Sequence, residues 1–152
     1  MKGTFSKLFI HTVFGVKRRQ NLISETWEVE LYKYIAGIIT NKGQKLIAIN
    51  GMPDHLHILI GIKPNYCVSD LIREVKKSSN EFIKERRYTS VPFQWQEGFG
   101  AFSHEESSLT RVITYIKNQK VHHRKENYQD EFVRILKEFN VEYEERYLFD
   151  KD

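Results

Sequence analysis

Two histidines stand one residue apart in an apolar run, DHLHILI, at positions 54–60. In a strand, alternate side chains share a face, so His55, His57 and Leu59 point one way and Leu56, Ile58 and Ile60 the other. Strand rise sets the two imidazoles about 7 Å apart at Cβ, and their rings can lean together on one divalent ion. The pair alone leaves two readings open: a metal grip, or two surface histidines on the open face of a sheet. Further along, LTRVITYIKNQ places Tyr115 and Gln119 one helical turn apart. With Leu109, Val112, Ile113 and Ile116 as the buried stripe, both fall along its edge, and Arg111, Asn118 and His122 adjoin them on the polar side. A lone edge tyrosine is ordinarily a packing residue and a lone glutamine a solvated one. Their pairing near a two-histidine strand is less ordinary.

The elements that must position these groups follow from periodicity. FSKLFIHTVFGV (5–16) reads as a first strand, rich in aromatic and β-branched residues. Ser24 precedes ETWEVELYKYIAGIIT, where Trp27, Leu31, Tyr34, Ile35 and Ile38 recur at helical spacing, and Asn41 to Gly43 closes that helix. QKLIAIN (44–50) is a second strand, GMPD a turn, and HLHILIGI a third strand, antiparallel because the connection is short. Ser69 caps a helix that buries Leu71, Ile72, Val75, Phe82 and Ile83 and runs to about Arg87. After Pro92, FQWQEGFGAFS is a fourth strand, with Gly98 and Gly100 marking a bulge or a close backbone approach. Ser103 and Glu106 form an S-x-x-E capping box that starts the Tyr115 helix at about His104. NYQDEFVRILKEF is a last helix, with Phe132, Ile135, Leu136 and Phe139 on one side. The order β-α-β-β-α-β predicts an α+β, ferredoxin-like sandwich, an antiparallel sheet with helices on one face plus C-terminal helices carrying the tyrosine.

At 152 residues, 40% of them hydrophobic and 29% charged, the chain is expected to form one domain, 1–152, with a real core. No apolar run approaches the roughly 20 residues of a membrane helix. The N-terminal apolar patch is broken by His11 and Thr12 and lacks a small-residue cleavage site. The single cysteine, Cys67, excludes an internal disulfide and fits a reducing cytosol, where it is expected to be buried or half-buried. The net charge of +4 only tilts the chain toward a polyanionic partner. The basic residues cluster at Lys17, Arg18 and Arg19 and again at Lys76, Lys77, Lys84, Arg86 and Arg87, as a solvated face would as readily as a nucleic-acid interface.

MPDHLHILI followed by YIKNQ resembles the single-tyrosine HUH transposases of the insertion sequence 200/605 group, HUH denoting His-hydrophobe-His. The resemblance covers nearly the whole chain, including the GFGAFS strand and the EYEERYLFD tail. It implies that His55, His57 and Gln119 bind Mg2+ or Mn2+ and that Tyr115 is the nucleophile. It further implies a 5′-phosphotyrosine link with a free 3′-hydroxyl, single-stranded DNA with hairpin ends as substrate, and a homodimer joined edge to edge in which a tyrosine helix can serve the other subunit's histidines. A prokaryotic cytosolic or nucleoid location goes with it. The chemistry suits the residues: a phosphodiester repels nucleophiles, a divalent ion on its oxygen acts as a Lewis acid, and a phenol of pKa about 10 needs activation. The two basic clusters then become phosphate contacts. Asp54 is expected to serve the turn rather than to be a ligand, and His122 and His123 to be polar surface sooner than groups that orient phosphate; His11 and His104 receive no role. Two rival functions are a domesticated hairpin-binding protein without strand transfer and a His-pair metal-dependent phosphodiesterase with a water nucleophile.

Overall fold

The computed structural model describes residues 3–149; Asp150, the last residue of the EYEERYLFD tail, lies outside them. Strand β1 spans Phe9–Gly15, shorter than expected because residues 3–8 join no ladder. Helix α1 covers Glu28–Asn41 and buries Leu31, Ile35 and Ile39. Ser24 caps a preceding turn rather than the helix, its hydroxyl accepting from the Thr26 amide at 3.2 Å. Gly43, at φ +77°, supplies the left-handed residue that ends the segment. Strands β2 (Lys45–Met52) and β3 (His55–Gly61) form a tight antiparallel hairpin. Helix α2 is Val68–Arg86; Ser69 lies inside its first turn instead of capping it, and Cys67 before it is exposed, against expectation.

Strand β4 is only Gly100–His104, and Trp95 upstream touches the sheet through an isolated bridge to Val16. The predicted capping box does not form. Ser103 and His104 pair with Ile10 and Phe9 across the β1–β4 ladder, so their backbone belongs to the sheet. A 3-10 turn at Glu106–Ser108 follows, and helix α3 starts at Leu109 and ends at Lys117. Asn118 (φ −93°, ψ 15°) breaks the expected continuous helix, and a one-turn α4 (Gln119–His122) follows. Helix α5 is Tyr128–Glu138, capped by the Asn127 side chain, which accepts from the Asp130 amide at 2.9 Å.

The sheet order is β2-β3-β1-β4, antiparallel throughout, the arrangement expected of a β-α-β-β-α-β ferredoxin-like unit. Helices α1 and α2 bury one face, where Phe14, Leu56, Ile58 and Ile60 meet Leu31, Ile35, Leu71, Val75 and Ile83. The opposite face is covered as well. Val112 and Ile116 of α3 pack on Ala48 and Leu59, while Phe132, Ile135 and Leu136 of α5 pack with Val13 and Phe102. The reading of His55 and His57 as surface residues on an open sheet is therefore overturned: both are fully buried. Among the described residues no helix is long and apolar enough to cross a membrane.

Candidate metal centre and tyrosine site

Period-two alternation places His55 and His57 on the sheet face that receives α3, α4 and α5. The Asp54 carboxylate lies 2.7 Å from His55 Nδ1. It holds the proton on that nitrogen and turns Nε2 inward, the arrangement by which a carboxylate orients a metal-binding imidazole. Asp54 is thus more than the turn residue it was expected to be. Burial would lower the His55 pKa, but Asp54 and then Glu131 outweigh it and the net shift is upward. His57 Nδ1 lies 2.8 Å from His11 Nε2, a bond that runs in either direction with the tautomer. Burial pushes His57 down to about 4 and holds His11 well below its ordinary value, so both are neutral at physiological pH. Tyr128 stacks on the His55 ring, centroids 4.3 Å apart.

At the centre stands a residue absent from the expected set, Glu131 of α5. Its Oε1 lies 3.2 Å from His55 Nε2, 2.9 Å from His57 Nε2 and 2.9 Å from His123 Nε2. Its Oε2 accepts from Gln119 Nε2 at 2.9 Å and from the Tyr115 hydroxyl. Burial alone would raise the Glu131 pKa, but hydrogen bonds from His123, His55 and His57 hold it far below the usual carboxylate range. One buried carboxylate therefore links the two imidazoles, the amide and the phenol within a single chain. The Gln119 carbonyl also lies 3.3 Å from His55 Nε2. Side-chain nitrogens of His55, His57 and His123 and a Glu131 oxygen all fall within 4.8 Å of one another, a donor set that fits a divalent cation.

Tyr115 and Gln119 reach this point because the end of α3 is anchored. Asn50, opposite His57 in the ladder, donates to the Ile116 and Lys117 carbonyls at 3.1 and 3.0 Å, satisfying acceptors that a helix end leaves free. Lys120 fastens α4 by donating to Glu28 at 3.0 Å and to the Gly51 carbonyl at 2.8 Å. The Tyr115 oxygen also accepts from Arg134 Nη2 at 2.9 Å, and Glu126 and Glu138 steady that guanidinium. Burial, followed by the Glu131 charge, raises the Tyr115 pKa above its ordinary value, and Arg134 opposes the rise. A cleft of about 600 Å³ opens beside the phenol, with His11, His104, Arg111 and Arg134 on its walls.

All four expected site residues, His55, His57, Tyr115 and Gln119, thus come together. His123, expected at the surface, joins them, whereas His122 pairs with Glu126 at 2.7 Å. Glu131 left one readable trace: an acid on the buried stripe of an amphipathic helix, between Tyr128 and Ile135. The basic clusters divide. Lys17, Arg18 and Arg19 form a turn directly after β1, Arg18 and Arg19 at left-handed φ of 57° and 56°, beside the Asp54 carbonyl that accepts from Val16. Lys77, Lys84, Arg86 and Arg87 are exposed on or just after α2, which packs on the sheet face away from the histidines. Lys76 donates to the Gln96 carbonyl at 2.8 Å and to that of Gly98, and so ties α2 to the segment before β4.

Residues 4–119 match the family of IS200-like transposases. The ISDra2 transposase TnpA of Deinococcus radiodurans is 24% identical over 128 residues, which is 78% of this chain and 88% of that protein. Among solved structures, one assigned as a transposase of D. radiodurans R1 superposes with a TM-score of 0.63 at 22% identity, over 78% of this chain and 95% of the other. A REP-associated tyrosine transposase bound to a REP hairpin superposes at 0.61 with 17% identity, over 81% and 73%. Both structural likenesses are of fold.

Proposed function

The chain belongs to the IS200-like transposase family, and on that premise we propose that it cleaves and rejoins single-stranded DNA at insertion-sequence ends through Tyr115. The observation that carries this reading is the shared carboxylate: the Tyr115 phenol and the His55–His57 pair meet on Glu131 within one chain. The Tyr115 oxygen attacks phosphorus, a tyrosine–phosphate bond forms, and the bond from phosphorus to the 3′-oxygen breaks, leaving a 5′-phosphotyrosine and a free 3′-hydroxyl. The Tyr115 hydroxyl is oriented by its hydrogen bond to Glu131 Oε2, its proton passes to water in the adjoining cleft as the bond to phosphorus forms, and Arg134 stabilises the developing oxyanion. His55, His57 and Gln119 would hold a divalent ion, Mg2+ or Mn2+, which would supply Lewis-acid stabilisation of the phosphate charge. A 3′-hydroxyl attacking the phosphotyrosine reverses the step without ATP, because each exchange conserves a phosphodiester. With one tyrosine per chain and two ends per element, a homodimer is the working unit. The turn at Lys17–Arg19, on the rim near Asp54, contacts backbone phosphates of a hairpin or single strand.

The test incubates the protein with labelled single-stranded oligonucleotides carrying the element's ends, with and without divalent metal, and resolves products on a denaturing gel. A metal-dependent protein–DNA adduct, absent in Tyr115→Phe, is expected. Cleavage that persists in Tyr115→Phe without an adduct would assign the chain as a phosphodiesterase with a water nucleophile. Hairpin binding without cleavage by the unmutated protein would make it a binding protein.

A further inference from the structure

We propose that Glu131 and His123 are ligands of the same cation as His55 and His57, making the centre a three-imidazole, one-carboxylate site that selects a transition-metal ion over Mg2+. The inference rests on the reading that the histidine pair holds a metal, and adds two ligands to it from beyond residues 4–119, where the family match ends.

Convergence is the first argument. Nε2 atoms from β3 and from the residue after α4 approach a single oxygen, Glu131 Oε1, at 3.2, 2.9 and 2.9 Å. Burial is the second. The side chains of His55, His57 and Glu131 are wholly buried and that of His123 is 4% exposed. An ionised carboxylate in such surroundings is costly even when hydrogen-bonded, and a divalent cation among the same donor atoms would supply the opposite charge. Rigidity is the third. Glu131 sits in the first turn of a capped helix, flanked by buried Tyr128, Phe132 and Ile135, and Gln119 fixes its second oxygen at 2.9 Å. Asp54 and His11 sit behind His55 and His57 in turn, so the ligands are themselves held.

Ligand chemistry then sets the preference. Mg2+ favours an octahedral shell of oxygens and keeps its waters, whereas imidazole suits Co2+, Zn2+ and Fe2+. In the same arrangement Glu131 Oε2 remains on the Tyr115 hydroxyl, so one carboxylate spans from ion to nucleophile.

Titration calorimetry with Co2+ and Mg2+, in the absence of DNA, tests the assignment on the unmutated protein and on Glu131→Gln, His123→Asn and His57→Ala. Circular dichroism confirms folding of each. Glu131→Gln and His123→Asn should each weaken Co2+ binding by at least the order of 10- to 100-fold that outer partners of a metal are known to contribute, and His123→Asn should alter the visible Co2+ spectrum. On the unmutated protein alone, Co2+ should shift the ring N–H signals of three histidines, His55, His57 and His123. Two shifted histidines, or unchanged Co2+ affinity and spectrum in both Glu131→Gln and His123→Asn alongside loss in His57→Ala, would overturn the added ligands and leave the histidine-pair metal site standing. Full Co2+ affinity in His57→Ala would instead remove the metal site from the functional reading itself.

Discussion

Residues 56, 58 and 60 and residues 55 and 57 belong to one strand, separated by a single peptide, yet they meet different materials. On the α1–α2 side, Leu56, Ile58 and Ile60 enter a cluster of aliphatic and aromatic side chains that extends to Trp27 and Phe93. On the α3–α5 side, His55 and His57 enter a patch of imidazoles, an amide, a half-buried phenol and a carboxylate, linked by hydrogen bonds that run mostly through Glu131. Apolar burial at roughly 25 cal/mol per Å² makes the first side a source of stability. The polar patch itself gains little from burial, since each polar group surrenders water for a partner of similar worth, and the apolar clusters around it supply that face's stability. What it gains is fixed geometry around a point where a cation and a phosphate can meet. The chemistry is thereby confined to one face of the sheet, in a polar patch bordered by the apolar contacts of α3 and α5.

The comparison breaks most sharply in a pair of neighbouring substitutions. Ile58→Ala empties a fully buried site on the apolar side and should destabilise the protein by about 2–5 kcal/mol. Its adduct yield per folded molecule should stay near that of the unmutated protein. His57→Ala should abolish the adduct while lowering stability less. Denaturant melts and the adduct gel measure both quantities, and equal losses of activity in the two variants would show that the faces are not separate.

A polar exception inside the apolar side gives the next effect. Trp95 Nε1 donates to Ser79 Oγ at 3.0 Å, and that hydroxyl in turn donates to the Val75 carbonyl. Ser79→Ala strands a buried indole N–H and should cost about 1–3 kcal/mol with cleavage retained. A neutral result would mean the indole finds another acceptor.

Much of this division was legible from spacing. A period of two splits Leu56, Ile58 and Ile60 from the histidines whatever the tertiary context, and the element order limits the sheet to few topologies. Where the reading failed, a longer-range partner had overruled a local signal. Ser103 and Glu106 have the spacing of a capping box, but ladder pairing with β1 claims Ser103 for the sheet. His11 received no role because its neighbour His57 is set by strand register, with Val13 opposite His57, and register is not written in either segment alone. Glu131 stands 74 positions from His57, so only its placement on an apolar stripe hinted at burial. His123 follows the break at Asn118, and a continuous helix would have aimed it elsewhere.

Acidification sharpens the contrast through stability. His57 is pushed down to about 4 and His11 lies well below its ordinary value, in both cases chiefly by burial. Imidazoles in the unfolded chain titrate near about 6.5. As pH falls from about 6.5 toward 4, the unfolded state therefore takes up protons that these two folded groups refuse, and stability is lost across that window. His104, also lowered by burial, adds to that loss, and His55, shifted upward, works in the opposite sense, one residue against three. Melting temperature in the presence of a chelator should fall over this range. Ile58→Val should retain the slope, and a flat profile in the unmutated protein would contradict the neutral assignment of His11 and His57.

The smallest effect is expected where sequence reading placed most of the positive charge. Lys84, Arg86 and Arg87 are exposed at the end of α2, behind the apolar layer and on the far side of the sheet from Tyr115. Lys17 and Arg18 lie in the turn beside the Asp54 carbonyl, near the edge of the site. Each lost phosphate contact lowers the salt dependence of binding by about one unit of slope. Alanine at Lys17 and Arg18 should therefore weaken hairpin binding and flatten its dependence on salt. Alanine at Lys84, Arg86 and Arg87 together should leave both nearly unchanged, because a strand engaged by the phenol must pass around the sheet edge to reach them. Fluorescence anisotropy with a labelled hairpin across a salt series reads both quantities. A larger slope change from the α2 substitutions would place the DNA across both faces, and the separation drawn from β3 would then hold for catalysis but not for binding.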